Sequence, residues 1–259
     1  TSILTLSHTN AIWKERMPNH TYNEYQIRKD EPVNARYYYR TNGLVNLDKS
    51  NMPSYQPEAY QKPGCPIIVD LNGDGQITVE DVDMKNVIPS LYWGLGNTFT
   101  YKNWDLDVFI YSQLGVDKYN DVYSWTSGRG LGNQTNNMSV YIKDVWHSEL
   151  NPNGTIPGIA YEMASVSLPG GAGTDIGYEN SSFVRVRNIT LGYNFKPNQL
   201  GTLSKLLSGI RVYVDVQNPF TFTGYTGLDP EVNTGGNYKG GKAEYPQTRT
   251  FSLGTKLSF

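Results

Sequence analysis

The alternation of side chains in the last stretch of the chain, residues 247–259, constrains the fold most strongly. The apolar set is Phe251, Leu253, Leu257 and Phe259, interrupted only by Thr255, and the set between them is Thr250, Ser252, Gly254, Lys256 and Ser258. Such alternation predicts a β-strand with one apolar face and one polar face. A strand of this kind that ends on an aromatic residue is typical of a barrel wall with lipid outside and a wet lumen inside.

Four earlier stretches, residues 91–101, 104–111, 189–195 and 210–217, repeat the pattern. Their alternating apolar residues are Leu91, Trp93, Leu95, Phe99 and Tyr101; Trp104, Leu106, Val108 and Ile110; Ile189, Leu191, Tyr193 and Phe195; and Ile210, Val212, Val214 and Val216. Charged residues such as Asp107 and Arg211 on the second face are tolerated only where that face is wet. The pattern predicts an all-β fold, an antiparallel transmembrane β-barrel with long extracellular loops.

The strands are too few and too uneven in length to close a barrel by themselves. The first residue is not an initiator methionine, and no signal peptide follows it. We therefore expect residues 1–259 to form the C-terminal part of a longer barrel.

Composition excludes several classes of function. A net charge of −2 without a basic run argues against nucleic-acid binding. No apolar stretch approaches the roughly 20 residues of a membrane helix, but barrels distribute their apolar residues over alternate positions. The single cysteine, Cys65, excludes an internal disulfide. The three histidines lack metal-ligand spacing, and no nucleophile or phosphate-loop motif occurs, so we expect no enzymatic activity.

Residues 13–61 are polar, rich in tyrosine and interrupted by prolines, which exclude a long helix. We expect a solvated segment outside the membrane, with a short strand and turn at residues 34–43.

Residues 70–81 (DLNGDGQITVED) have the spacing of a calcium-binding loop. Gly75 occupies the sixth position, where the sharp turn requires a positive φ angle. Asp81 occupies the twelfth position, where glutamate is usual, so we expect lower affinity. The candidate Ca²⁺ ligands are Asp70, Asn72, Asp74, Gln76 and Asp81. The alternative is a turn rich in Asp and Asn that binds no ion.

Two long loops, residues 116–181 and 223–246, are rich in turn-forming residues, and the first is also rich in aromatic ones. Aromatic faces beside Asn and Asp suit sugar rings or peptide backbones. The candidate substrate-binding residues are Trp125, Trp146 and Tyr178. The alternative is that these aromatic side chains pack each loop on itself.

Four stretches resemble the SusC/RagA family of TonB-linked outer-membrane transporters: residues 70–77 (DLNGDGQI), 92–106 (YWGLGNTFTYKNWDL), 182–195 (SFVRVRNITLGYNF) and 216–231 (VQNPFTFTGYTGLDPE), continuing to the terminal strand. The segment from Asp144 to Trp146 is also similar, although Ser148 stands where the family commonly has proline.

The resemblance implies a barrel of about 22 strands in the outer membrane, in contact with lipid and filled by an N-terminal plug that is missing from residues 1–259. It implies import of oligosaccharides, or alternatively peptides, through a TonB complex that acts on the missing plug region. It also implies a SusD-like surface lipoprotein as partner. The competing interpretation is a secreted, calcium-stabilised, carbohydrate-binding β-sandwich, which leaves the terminal strand and the wet second faces unexplained.

Overall fold

The computed structural model describes residues 36–120, 123, 138–158, 168–169, 173–232 and 245–259. The strands in this part of the chain are β1 (Arg36–Tyr39), β2 (Thr41–Leu44), β3 (Pro66–Ile68), β4 (Val82–Lys85), β5 (Leu91–Tyr101), β6 (Trp104–Leu114), β7 (Asp117–Tyr119), β8 (Tyr178–Asn180), β9 (Phe183–Phe195), β10 (Gly209–Thr223) and β11 (Thr250–Ser258). The 3₁₀ helices are Glu58–Tyr60, Val140–Asp144, Pro197–Gln199 and Gly201–Lys205.

The chain divides into two compact units. The first takes the described residues of Thr1–Ile88 and Asp117–Glu179, and the second takes those of Pro89–Val116, Asn180–Asn233 and Glu244–Phe259. None of the helices among the described residues is long and apolar enough to cross a membrane.

The second unit is a five-stranded antiparallel sheet with the strand order β11-β10-β9-β6-β5. One row of cross-strand partners runs through all five strands and is entirely apolar: Phe99, Leu106, Leu191, Val214 and Leu253. Partners in a row share a face of the sheet. The predicted apolar faces therefore coincide in one continuous surface.

This apolar face of the sheet is exposed. Leu191 lies on the central strand, yet 45% of its surface is accessible, and Leu253 is 75% accessible. In a β-sandwich such inner-face side chains would be buried against a second sheet. The exposure contradicts the sandwich interpretation and fits a surface that lipid covers.

The connections differ between the two opposite ends of the strands. At one end, called here the short-turn edge, Lys102 and Asn103 join β5 to β6, and residues 196–208 join β9 to β10. At the other, the long-loop edge, residues 115–182 and 224–249 make the connections. Lys102 has φ +57°, which the two-residue turn requires.

A β-bulge changes the alternation within β9. Arg187 is an extra residue relative to β6, and the register between the two strands shifts there. One extra residue moves the alternation by one position, so Arg185 shares a face with Thr190 and not with Ile189. In β10 the register with β9 shifts at the same row, where Asn218 has φ +49°.

The first unit contains short antiparallel pairs, β1 with β4 and β2 with β3. Its buried core is Tyr37, Tyr39, Tyr60, Ile68, Val82 and Leu168. In the described part of residues 13–61, the predicted short strand at residues 34–43 is present as β1, and Tyr37, Tyr39 and Tyr60 are buried in this core, whereas residues 46–51 are exposed. The hydroxyl of Tyr39 donates to the carbonyls of Thr78 and Pro169, both at 2.8 Å, and this pairing permits burial of a tyrosine.

Candidate functional site

The polar face of the five-stranded sheet carries a buried charge network near the long-loop edge. Arg185 Nη2 lies 2.9 Å from Asp229 Oδ1, and Arg185 Nη1 lies 2.5 Å from Glu231 Oε2. Its Nε donates to the hydroxyl of Thr221 at 2.9 Å. The phenol of Tyr111 also donates to Glu231. These five residues are called here the Arg185 network, and Arg185 itself is 1% exposed.

Asp229 connects this network to both ends of the loop between β10 and β11. Its Oδ1 accepts the backbone N–H of Glu231 at 2.8 Å, and its Oδ2 accepts that of Gln247 at 3.0 Å. Burial raises the pKa of Asp229, but these hydrogen bonds and Arg185 outweigh burial and hold it below its usual range. The carboxylate is thus charged at neutral pH and fixes the base of the loop to the sheet.

A second network lies near the short-turn edge and is called here the Arg211 network. Arg211 pairs with Asp105 through both Nε and Nη2, and its Nη2 lies 3.8 Å from Asp107 Oδ2. Asn194 also donates to Asp105. An added Cβ at Gly192 would meet Asp105 Oδ2 at 2.6 Å, so the ion pair crosses β9 over a residue that has no side chain.

In the middle of the polar face, threonine hydroxyl groups donate hydrogen bonds to carboxylates. Thr98 donates to Asp107 at 2.6 Å, and Thr190 donates to Asp215 at 2.5 Å. This arrangement stabilises a wet, charged wall. Across the part of the chain that the structure describes, no group of three or more His, Cys, Asp or Glu residues is placed to hold a metal ion.

The loop at residues 70–81 has the predicted turn. Gly75 has φ +80°, as its position requires. The two carboxylate oxygens of Asp70 accept the N–H groups of Gly73 at 2.7 Å and Gly75 at 2.8 Å. Burial raises the pKa of Asp70, but these backbone hydrogen bonds outweigh it and lower the pKa. Asp74 similarly accepts the N–H of Gln76 at 2.8 Å. Each oxygen retains a second lone pair.

Asp81 has a structural role that its sequence position did not reveal. Its carboxylate is fully buried and accepts the backbone N–H groups of Leu71 at 3.0 Å, Asn72 at 3.4 Å and Thr78 at 2.7 Å. The pKa of the nearby Tyr39 is raised by burial and further by the charge of Asp81. Asp81 thus closes the loop, and its role as a Ca²⁺ ligand stays a prediction.

The predicted substrate-binding aromatics belong to different contact groups. Tyr178 packs against Tyr38, with ring centroids 4.3 Å apart, and against Tyr119, at 5.2 Å. The half-buried Trp146 lies on the backbone of Gly64, where an added Cβ would meet its ring at 2.4 Å. Trp125 lies outside the described residues. The substrate role of all three stays a prediction.

No family model matches the chain. It is 34% identical over 208 residues to the TonB-dependent receptor SusC of Bacteroides thetaiotaomicron, covering 78% of this chain and 19% of the relative. It is 28% identical over 242 residues to the TonB-dependent receptor P3 of Formosa agariphila, covering 90% of this chain and 23% of that protein. The chain therefore spans about a fifth of the length of these relatives.

Among solved structures, the RagAB peptide importer in its closed-closed state matches with a TM-score of 0.64 and 22% identity over 92% of this chain and 24% of that one. A structure of the RagAB peptide transporter gives a TM-score of 0.61, with 22% identity over 89% of this chain and 24% of that one. The predicted family is thereby confirmed. The chain belongs to the SusC/RagA family of TonB-dependent receptors.

Family membership assigns the surfaces of the sheet. A SusC-like receptor is an outer-membrane β-barrel, so the apolar face contacts lipid and the polar face, with both charge networks, lines the lumen. Barrels of this type have short turns on the periplasmic side, which identifies the short-turn edge as periplasmic.

The sequence did not reveal the Arg185 network. Extending the alternation of Ile189 and Leu191 backward along β9 assigns Arg185 to the lipid face, where a charge is costly. That conflict was itself a signal, because unbroken alternation would place both arginines of the segment VRVR on the lipid face.

Proposed function

We propose that this chain forms part of the barrel wall of a TonB-dependent outer-membrane importer. The observation that carries the proposal is the single sheet with an exposed apolar face and a polar face of paired charges. Such a wall supports passage of a solute by binding and conformational gating, without bond chemistry. We propose that a plug inside the same barrel, the TonB complex and a SusD-like lipoprotein complete the system.

We propose oligosaccharides as the cargo, with peptides as the second candidate. The aromatic residues of the first long loop support the first choice, and similarity to a peptide importer in the fold alone supports the second. The candidate binding residues remain Trp125, Trp146 and Tyr178. Tyrosine and tryptophan rings present flat apolar faces with a polar edge, which suits sugar rings.

The experiment uses the whole detergent-extracted transporter that contains this chain. Its binding to defined oligosaccharide pools and peptide pools is measured, together with mass spectrometry of the proteins that co-purify with it. Trp146→Ala should weaken oligosaccharide binding by about tenfold, the upper range for one aromatic contact. Trp104→Ala, on the lipid face, is the matched control and should leave binding unchanged.

Binding of peptides alone would favour the second candidate cargo. A water-soluble protein that purifies without detergent and without partners would refute the importer. An unchanged affinity in a correctly folded Trp146→Ala variant would remove that residue from the substrate site.

We further propose that the loop at residues 70–81 binds Ca²⁺ weakly. The positive φ at Gly75, the partly exposed carboxylate of Asp70 and the exposed carboxylate of Asp74 support the proposal. Asp81 would have to release backbone N–H groups to reach an ion, which lowers the affinity that we expect. An ion there would fix the loop and take no part in chemistry.

Calcium should raise the melting temperature of the whole transporter relative to a chelator, and Asp70→Asn with Asp74→Asn should abolish the difference. Asp48→Asn is the control, because Asp48 also accepts a backbone hydrogen bond in an exposed turn, from Ser50 at 3.1 Å. Equal melting temperatures with calcium and with chelator in the wild type would identify the loop as a turn without an ion.

A further inference from the structure

The connection between β9 and β10, residues 196–208, has an unusual surface for a turn between two membrane strands. Leu203 is 53% exposed and Leu206 is 69% exposed. Both β9 and β10 have a further strand on their outer side, so this exposure does not arise at the margin of the sheet. Apolar side chains so exposed need an apolar environment outside the chain.

Hydrogen bonds at Tyr193 place this connection toward the lipid-facing side of the sheet. Tyr193 belongs to the apolar face and packs edge-on against Trp104 at 4.9 Å and Phe195 at 4.7 Å between ring centroids. Its hydroxyl accepts from Nε2 of Gln199, in the connection, and from Nδ2 of Asn103, in the neighbouring turn, both at 3.3 Å. Gln199 and Asn103 also bond to each other at 2.7 Å. The connection and the turn therefore join directly beneath the lipid-facing aromatics.

The charge of this region is entirely positive. Residues 196–208 contain Lys196 and Lys205 but no acid, and the neighbouring turn contains Lys102. Lys102 Nζ lies 5.2 Å from the centre of the Tyr101 ring. Within the described part of the chain, none of these three lysines forms an ion pair. Asp105, the nearest acid in sequence to the turn, is paired with Arg211 on the opposite, luminal face.

We propose that the turn 102–103 and the connection 196–208 form a binding surface for anionic phospholipid in the periplasmic leaflet. Leu203 and Leu206 enter the boundary between headgroups and acyl chains, where exposed apolar side chains gain free energy. The three lysines contact lipid phosphate. The aromatic group above them lies at the depth where tyrosine and tryptophan stabilise a membrane protein.

The surface continues the lipid-facing side of the sheet, and its charge is opposite to that of the headgroups. A soluble protein partner would not require the connection to fold beneath lipid-facing aromatics. The proposal depends on the outer-membrane fold and is independent of the transported cargo, so the two can fail separately.

The first test locates Leu206 relative to the membrane. A nitroxide label is attached at Leu206→Cys in the whole transporter, in nanodiscs of phosphatidylethanolamine and phosphatidylglycerol, with Cys65→Ser as background. Collisions with oxygen should exceed those with a water-soluble nickel chelate. The same label at Lys49→Cys, in an exposed turn of the first unit, should show the reverse.

A label at Leu206 that collides mainly with the nickel chelate would overturn the proposal, because the residue would then lie in water. A label protected from both reagents would also overturn it, because a protein would then cover the site.

The second test measures the role of charge. Binding of phosphatidylglycerol to the detergent-solubilised transporter is followed by native mass spectrometry. Replacing Lys196 and Lys205 by Gln should weaken binding by about fivefold for each lysine. The matched control replaces Lys49 and Lys143, two exposed lysines of the first unit, and should have no effect.

Inorganic phosphate at the same concentration should not displace the lipid, because it lacks the acyl chains that the leucines contact. Displacement by phosphate alone, or equal lipid binding by the double lysine variant and the wild type, would refute a phospholipid surface.

Discussion

The Arg185 and Arg211 networks lie on the same face of one sheet, yet they differ in burial and in what they connect. The Arg185 side chain is 2% exposed and its partner Asp229 is 5% exposed, whereas Arg211 is 27% exposed and its partner Asp105 is 13% exposed. Arg185 holds a loop through two carboxylates. Arg211 joins β10 to β6 across β9, and backbone hydrogen bonds already hold these three strands together.

The difference shows how similar residues produce unequal effects. Removing one partner of a buried ion pair leaves an uncompensated buried charge and is strongly destabilising. An exposed ion pair contributes little, because water and salt screen its charges. The long-loop edge needs the stronger contact, because closing a long loop costs more conformational entropy than closing a short turn.

Arg185→Ala should give the largest effect. It leaves the buried carboxylate of Asp229 and the partly exposed carboxylate of Glu231 without a cation, at a cost of about 3 to 5 kcal/mol. Hydrogen exchange at residues 225–232 and 245–249 of the whole transporter should accelerate at least about a hundredfold. Arg187→Ala is the control, because Arg187 is exposed and, among the described residues, forms no ion pair: it makes a 3.4 Å contact with Asn218 and lies 5.9 Å from the centre of the Tyr111 ring. Unchanged protection in Arg185→Ala would show that the loop is held by other contacts.

Asp229→Asn should have the next largest effect and should change the pH dependence. Because the folded pKa of Asp229 is lowered, its stabilising contribution is present above the unfolded pKa of about 3.9 and is lost as pH falls through the folded pKa. After correction for intrinsic exchange, wild-type protection at Gln247 should fall in that acidic range. In the Asp229→Asn variant, the Gln247 amide should be weakly protected at every pH, without this step. A wild type that keeps its protection at low pH would contradict the prediction.

Arg211→Ala should have a smaller and salt-dependent effect. Loss of a partly exposed ion pair costs about 1 kcal/mol or less, so exchange in β9 near Gly192 should accelerate by about fivefold at most. Raising the salt concentration should shrink this difference, because salt screens exposed charges, and should leave the effect of Arg185→Ala almost unchanged. Equal salt sensitivity in the two variants would remove the distinction between the networks.

Thr98→Val should have the smallest effect. It removes one hydrogen bond, from Thr98 to Asp107, at an exposed position, and exchange in β5 should change by about twofold. Thr100→Val, on the same strand and face, serves as the control for the loss of a hydroxyl. A tenfold change in Thr98→Val would mean that the hydroxyl contacts of the polar wall matter as much as its ion pairs.

Alternation in the sequence predicted the sheet well, because each strand is long enough for a two-residue period to show. The apolar row from Phe99 to Leu253 and the tight turn at Lys102 follow directly from that period. The first unit was predicted poorly. Its strands have three or four residues, too few for a periodic signal, and its core combines aliphatic residues with tyrosines, which must find hydrogen-bond partners on folding.

The candidate sites show the same limit. The positive φ of Gly75 was predictable, because the conformation follows from local spacing. The inward orientation of Asp81 was not, because it depends on which backbone N–H groups the folded loop leaves without partners. The pairing of Arg185 with Asp229 depends on a register shift in the strand and on a loop more than forty residues away, and neither leaves a regular pattern in the sequence.

The bulge at Arg187 also has a genetic consequence. Deleting this one residue would exchange the lumen and lipid faces of residues 183–186 while leaving residues 188–195 in place. One residue inserted nearer the long-loop edge would restore the face of every residue beyond it, as a second frameshift restores a reading frame. Selection for transport after such a deletion should therefore recover insertions of one residue just before the bulge, and few substitutions.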